Sequence, residues 1–115
     1  MITIEHDSDL IEVSIFGEFR IEDYKKFESE VTRQVQEQGK MNLLIDLQGM
    51  LGYTVDVALE DIKFTREHAH DVGRVAMVSN QDWVAWMALA TRIFLDADLR
   101  VFDDEADARA WLIAD

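Results

Sequence analysis

The chain has 115 residues, 49% of them hydrophobic, which suits one globular domain (1–115) with its own core and argues against disorder. Its 24 acidic against 11 basic side chains leave a net charge of −13, a balance that counts against nucleic-acid binding and against electrostatic adsorption to anionic lipid. The absence of cysteine removes disulfides, zinc–thiolate sites and thiol nucleophiles, and no apolar run reaches the ~18 residues of a membrane span.

Residues 2–6 (ITIEH) and 10–17 (LIEVSIFG) read as strands. Ile11, Val13 and Ile15 alternate with Glu12 and Ser14, the period of a half-buried strand. The joint DSD is a turn, so the two should form an antiparallel hairpin that Gly17 ends. The period then changes. Ile21, Tyr24, Phe27, Val31 and Val35 make one apolar stripe over 21–38, a helix closed by Gly39. Residues 41–47 (MNLLIDL) are an almost continuous apolar run, as in a strand covered on both faces.

A loop is expected over 48–54, bracketed by Gly49 and Gly52 and carrying Met50, Leu51 and Tyr53. A second helix follows over 55–69, with Thr54 as N-cap and Val55, Ala58, Leu59 and Ile62 toward the sheet. Gly73 ends that connection, and 74–79 (RVAMVS) is another buried strand. Residues 99–102 (LRVF) form a short strand. Residues 104–114 form a last helix with acids at its positive end and Ala110, Trp111 and Ile113 available for burial.

The stretch 82–95, DWVAWMALATRIFL, is apolar almost all the way round a helix. Trp83, Trp86, Met87, Ala90, Ile93 and Phe94 recur at spacings of three and four. Only Asp82, Thr91 and Arg92 offer a polar back. Part of this helix should therefore be covered by something besides the domain's own core: a partner chain, an apolar ligand or a lipid surface. The order ββαβαβαβα implies an α/β fold. Its mixed sheet should have an N-terminal antiparallel hairpin and a parallel remainder covered by helices.

This order resembles that of STAS domains, and the C-terminal third is similar to their SpoIIAA-like branch. The matching residues are Trp83 and Trp86, then Val101, Phe102 and Asp103, then Ala108, Ala110, Trp111 and Leu112. The resemblance implies a non-catalytic binding module. Anti-sigma-antagonist members carry a phosphorylatable Ser in an Asp-Ser-Ser-Gly loop after a strand ending Asp-Leu. Asp46 and Leu47 are present here, but the following QGMLGYTVDV has Thr54 and the Tyr53 phenol as its only hydroxyls. The branch is also similar in shape to CRAL-TRIO lipid-binding domains, which implies an apolar or lipid-like ligand.

The candidate ligand-binding set is Trp83, Trp86, Met87, Ala90, Met50, Leu51, Tyr53 and Leu59. Open α/β sheets bind ligands beyond the carboxyl ends of their strands, where 48–54 and the start of 82–95 should meet. Core packing, or burial between copies in a homodimer or higher homo-oligomer, explains the same residues without a ligand. Asp46 fits a capping role better than that of a base. His68 and His70, two apart, point about 200° from each other on a helix and cannot share a metal there. Glu22, Asp23, Glu28 and Glu30 read as solvated helix-surface acids, and Asp103, Asp104 and Glu105 as acids at a helix N-terminus. No Gly-rich phosphate loop or Ser-His-Asp set occurs, so no enzyme, catalytic residue, cofactor or metal is expected.

Two functions follow. One is a module that holds a small apolar ligand or docks reversibly on membranes through helix 82–95 and loop 48–54. The other is a protein–protein regulator acting through the same face. The N-terminus, MITIEHD, lacks a secretory pattern, so the expected location is cytoplasmic, peripheral to the membrane if the first function holds.

Overall fold

The computed structural model describes residues 1–7, 10–67, 72–79 and 98–114. Their elements are β1 (Ile2–His6), β2 (Leu10–Phe19), α1 (Ile21–Gln38), β3 (Met41–Tyr53), α2 (Val55–Glu67), β4 (Val72–Val78), β5 (Leu99–Phe102) and α3 (Glu105–Ile113). The strands form one sheet in the order β1-β2-β3-β4-β5. β1 runs antiparallel to β2, and the other pairings are parallel. The expected mixed sheet and hairpin are therefore present. The Asp7 N–H donates to the Leu10 carbonyl at 2.8 Å, closing the turn.

Alternation along the strands decides which layer each side chain joins. One register row runs Ile4, Val13, Ile45, Met77, Val101 across all five strands. That face packs on Tyr24, Phe27 and Val31 of α1 and on Val57 and Phe64 of α2. The adjacent row holds Leu44 and Ala76, which point the other way and join Val78, Ala108 and Leu112 under α3. Central strand β3 feeds both layers, which is why MNLLIDL shows no polar alternation.

The stripe read on α1 is the buried one, joined by Gln34. Gly39 ends the helix, its N–H bonded to the Val35 carbonyl at 2.8 Å. On α3 the buried pair is Ala108 and Leu112, while Trp111 is half-buried and Ile113 is 82% exposed. The expected face (Ala110, Trp111, Ile113) is thus displaced, because the stripe touching the sheet is set by residues four apart starting at Ala108. Asp104 caps this helix by accepting the Ala106 N–H at 2.7 Å, the role read for the acids there.

Three strand boundaries differ from the sequence reading. No loop spans 48–54: β3 continues to Tyr53, and β2 continues past Gly17 to Phe19. Phe16, Gly17, Glu18 and Phe19 pair with Gly49, Met50, Gly52 and Tyr53, with register shifts on either side of Phe16–Gly17. The glycines that read as strand breakers are paired residues beside these shifts. Gly17 takes φ +70°, and a Cβ on Gly49 would stand 2.7 Å from the Phe16 ring. Likewise Gly73 lies inside β4 rather than before it. The Asn42 side chain fills the space a Cβ would need and accepts the Arg74 N–H at 2.8 Å.

Candidate functional site

Since β4 pairs with β3 only as far as Asp46–Val78, the segments Phe16–Phe19 and Gly49–Tyr53 form a two-stranded extension beyond it. This extension carries three of the candidate residues, and they separate by face. Met50 is buried in the core with α1 and α2. Leu51 is 85% exposed and Tyr53 is 40% exposed, alongside a half-exposed Phe16. Met50 is therefore a core residue rather than part of an apolar lip, since the strand pleat turns it opposite Leu51.

α2 starts at Val55, directly after this extension. Leu59, expected to face the sheet, is 66% exposed, whereas Val57 and Phe64 are buried. The helix is rotated relative to the expected face because Phe64 stacks among Phe27 and Tyr24, at ring-centroid distances of 5.6 and 6.1 Å. The side chains of Val55, Ala58 and Ile62 lie outside the described residues. So do Trp83, Trp86, Met87 and Ala90, the rest of the 82–95 stretch, and His68 and His70. The Thr54 hydroxyl donates to the Asp56 carboxylate, and the Thr54 N–H donates to the Phe19 carbonyl at 3.2 Å. Asp46 accepts the Gln48 N–H at 2.9 Å, a local capping role.

A second set of residues escaped the sequence reading. α1 and α2 meet along a polar seam above the aromatic cluster. The Tyr24 hydroxyl donates to Asp61 Oδ1 at 2.5 Å, and Lys25 Nζ donates to Glu60 Oε1 at 3.0 Å. Burial pushes the Tyr24 phenol far above its ordinary value, with the Asp61 charge adding to the effect. Burial also raises Asp61, against the lowering effect of the Tyr24 hydrogen bond. Glu28, beside Glu60, is pushed up to about 7, first by burial and then by that neighbouring carboxyl. Three of the acids read as solvated are thus engaged. Glu28 sits in the seam, Asp23 holds the amino terminus at 3.4 Å, and Glu30 accepts from Arg33 and Gln34 at 2.6 and 3.1 Å.

At the opposite end of the parallel strands lies an open cleft of about 350 Å³, lined by Lys40, Asn42, Arg74, Asp98 and Ala114 among others. Arg74 Nη1 donates to the Trp111 and Ala114 carbonyls at 2.7 and 2.5 Å, so a strand residue satisfies the end of α3. The Trp111 ring lies against the guanidinium groups of Arg74 and Arg100, at 5.4 and 5.1 Å. On the same layer Arg109 makes a two-pronged bond to Glu12 at 2.6 and 2.9 Å, tying α3 to β2. That guanidinium holds the Glu12 carboxyl below its usual range. No helix among the described residues is long and apolar enough to cross a membrane.

A family model described as SpoIIAA-like matches residues 10–113. No curated protein matches the chain. Among solved structures, a DUF3478-family protein with a SpoIIAA-like fold from Shewanella loihica PV-4 is similar at 23% identity. That alignment has a TM-score of 0.78 and covers 97% of this chain and 92% of the other. The anti-sigma factor antagonist SpoIIAA in its unphosphorylated form aligns at 9% identity and TM-score 0.68, over 97% of each chain. The Bacillus cell fate determinant SpoIIAA in its phosphorylated form aligns at 9% identity and TM-score 0.62, over 96% of this chain and 99% of that one.

Proposed function

This chain belongs to the SpoIIAA-like family, and we propose that it is a non-catalytic regulatory module that docks on a protein partner. Its docking face is the β2–β3 extension, the start of α2 and the indole-bearing segment 82–95. The observation that carries this reading is that Leu51, Tyr53, Phe16 and Leu59 are all exposed, on one extension and the helix that follows it. A single exposed leucine means little, but four exposed large apolar side chains within one extension and the helix after it are more than scattered surface residues and point to an interaction region. Among the described residues these side chains stand outward, which suits a protein surface better than an engulfed ligand.

The solved relative named an anti-sigma factor antagonist supports a regulatory role by analogy of fold. The departure at 48–54, where no serine stands, separates this chain from a phosphoserine switch. The simplest occupant of the face is a second copy of the chain, with Trp83, Trp86, Met87 and Ala90 buried between protomers. An apolar or lipid-like ligand, or reversible membrane docking, is the second reading, favoured by the nearly all-round apolar character of 82–95.

Sedimentation equilibrium of the wild type, Leu51→Asp and Trp86→Glu tests the first reading. The wild type is expected to self-associate and both variants to dissociate, since a tryptophan at an interface centre is worth ~2 kcal/mol or more. A wild type that stays monomeric at all concentrations, but pellets with neutral liposomes in a Trp86-dependent way, replaces the first reading with the second. Neither behaviour removes both.

A further inference from the structure

The α1–α2 seam contains more carboxyl groups than its lysines neutralise at close range. Lys25 Nζ stands 3.0 Å from Glu60 Oε1 and 3.9 Å from Glu28 Oε1, so one ammonium serves two acids. Glu28 Oε1 is buried and accepts no hydrogen bond from the described residues. A carboxylate oxygen shut away from water with no donor is costly, and a proton shared with the adjacent carboxyl removes that cost. The groups acting on Glu28 come from both helices: Lys25 on α1, and Glu60 and Lys63 on α2. The same seam continues into Tyr24 and Asp61, and Glu67 also bears on Lys25.

We propose that Glu28 and Glu60 form a proton-operated clasp that closes α2 onto α1 while they share one proton and loosens it when both are charged. Two carboxylates held together repel, and Lys25 cannot cancel both. The raised Glu28 value, about 7, places the changeover near neutrality. The sign follows from linkage. A carboxyl whose folded-state pKa lies above its unfolded one adds stability that is complete below the unfolded value and is lost as pH rises through the folded one. The window therefore runs from about 4.5 upward through about 7. Because α2 also carries Leu59, opening the clasp alters the helix at its exposed apolar side. The clasp itself does not depend on what docks there.

Native-state amide exchange across 55–67, corrected for intrinsic rates, reads the clasp directly. From Glu28 values of 4.5 and about 7, the opening equilibrium of α2 should rise about tenfold between about pH 6 and about pH 8. In Glu28→Gln the rise should vanish. In Glu60→Gln it should also be absent from this window, because Glu28 then ionises at lower pH. A merely structural contact would shift protection equally at every pH. A wild type with flat corrected protection, or a Glu28→Gln variant that keeps the rise, overturns the proposal. So does a Glu28 carboxyl that titrates near 4.5 by carboxyl-carbon NMR of the wild type, a measurement that needs no variant to fold.

Discussion

Tyr24→Phe removes one hydroxyl from the α1–α2 seam and leaves the ring. The ring packs against Phe19, Phe27 and Phe64 at centroid distances of 5.6, 5.4 and 6.1 Å, contacts that phenylalanine keeps. What disappears is the donor 2.5 Å from Asp61 Oδ1. A hydrogen bond to a charged group contributes ~1.5–3 kcal/mol, against ~1 kcal/mol for a neutral pair. The cost should therefore be ~2–3 kcal/mol where Asp61 is ionised and fall toward ~1 kcal/mol where it is protonated. Asp61 already has a raised pKa from burial, and the Tyr24 bond is what lowers it. Without that bond the folded-state value rises further, so the variant loses more stability than the wild type as pH climbs through it. Urea denaturation followed by circular dichroism over a pH series from neutrality downward, with a common m-value, measures the cost with Asp61 charged and as it takes up its proton. The Glu28 titration is common to both proteins and cancels in the difference. A cost below ~0.5 kcal/mol at neutral pH, or one that grows as the pH falls, would show that Tyr24 and Asp61 are not coupled as described.

Three further outcomes follow from the packing. Leu112→Ala should cost ~2–5 kcal/mol in calorimetry, whereas Ile113→Ala, one residue on and 82% exposed, should stay within ~0.5 kcal/mol. Glu12→Gln should cost about 1 kcal/mol at neutral pH and low salt, because the Glu12–Arg109 pair is only partly buried. Glu12 is lowered by Arg109, so its contribution is present above the ordinary carboxylate range and is lost as pH falls through the folded value. The gap between the proteins should close in acid and in high salt. Gly73→Ala forces a Cβ to within 2.2 Å of Asn42 Oδ1 and should cost ~1–3 kcal/mol by breaking the Asn42–Arg74 bond. Added to Asn42→Ala, which vacates that space, the same change should cost less than the sum of the two singles in chemical denaturation.

Chain-local pattern was enough to reach the order of the described elements, the N-terminal hairpin, the buried stripe of α1 and the doubly covered β3. Each of these reports a burial period of two or 3.6 residues, and such a period is written along the chain itself. The acids at the start of α3 and the capping role of Asp46 were readable for the same reason, since their partners lie two residues away. What three-dimensional packing decided depends on partners far off in sequence. Gly17 and Gly49 end strands in isolation, but side-by-side pairing of 16–19 with 49–53 makes them paired residues beside register shifts inside a longer sheet. That pairing sends Met50 inward and leaves Leu51 outside. Leu59 sits on an apolar-looking stripe, yet the stacking of Phe64 on α1 sets the rotation of α2 and exposes it. Glu28 and Asp61 look like ordinary surface acids until a second helix lies against them, with partners 32 and 37 residues apart in sequence. Desolvation and charge pairing act through space, and no periodicity along a chain encodes the distance between two helices.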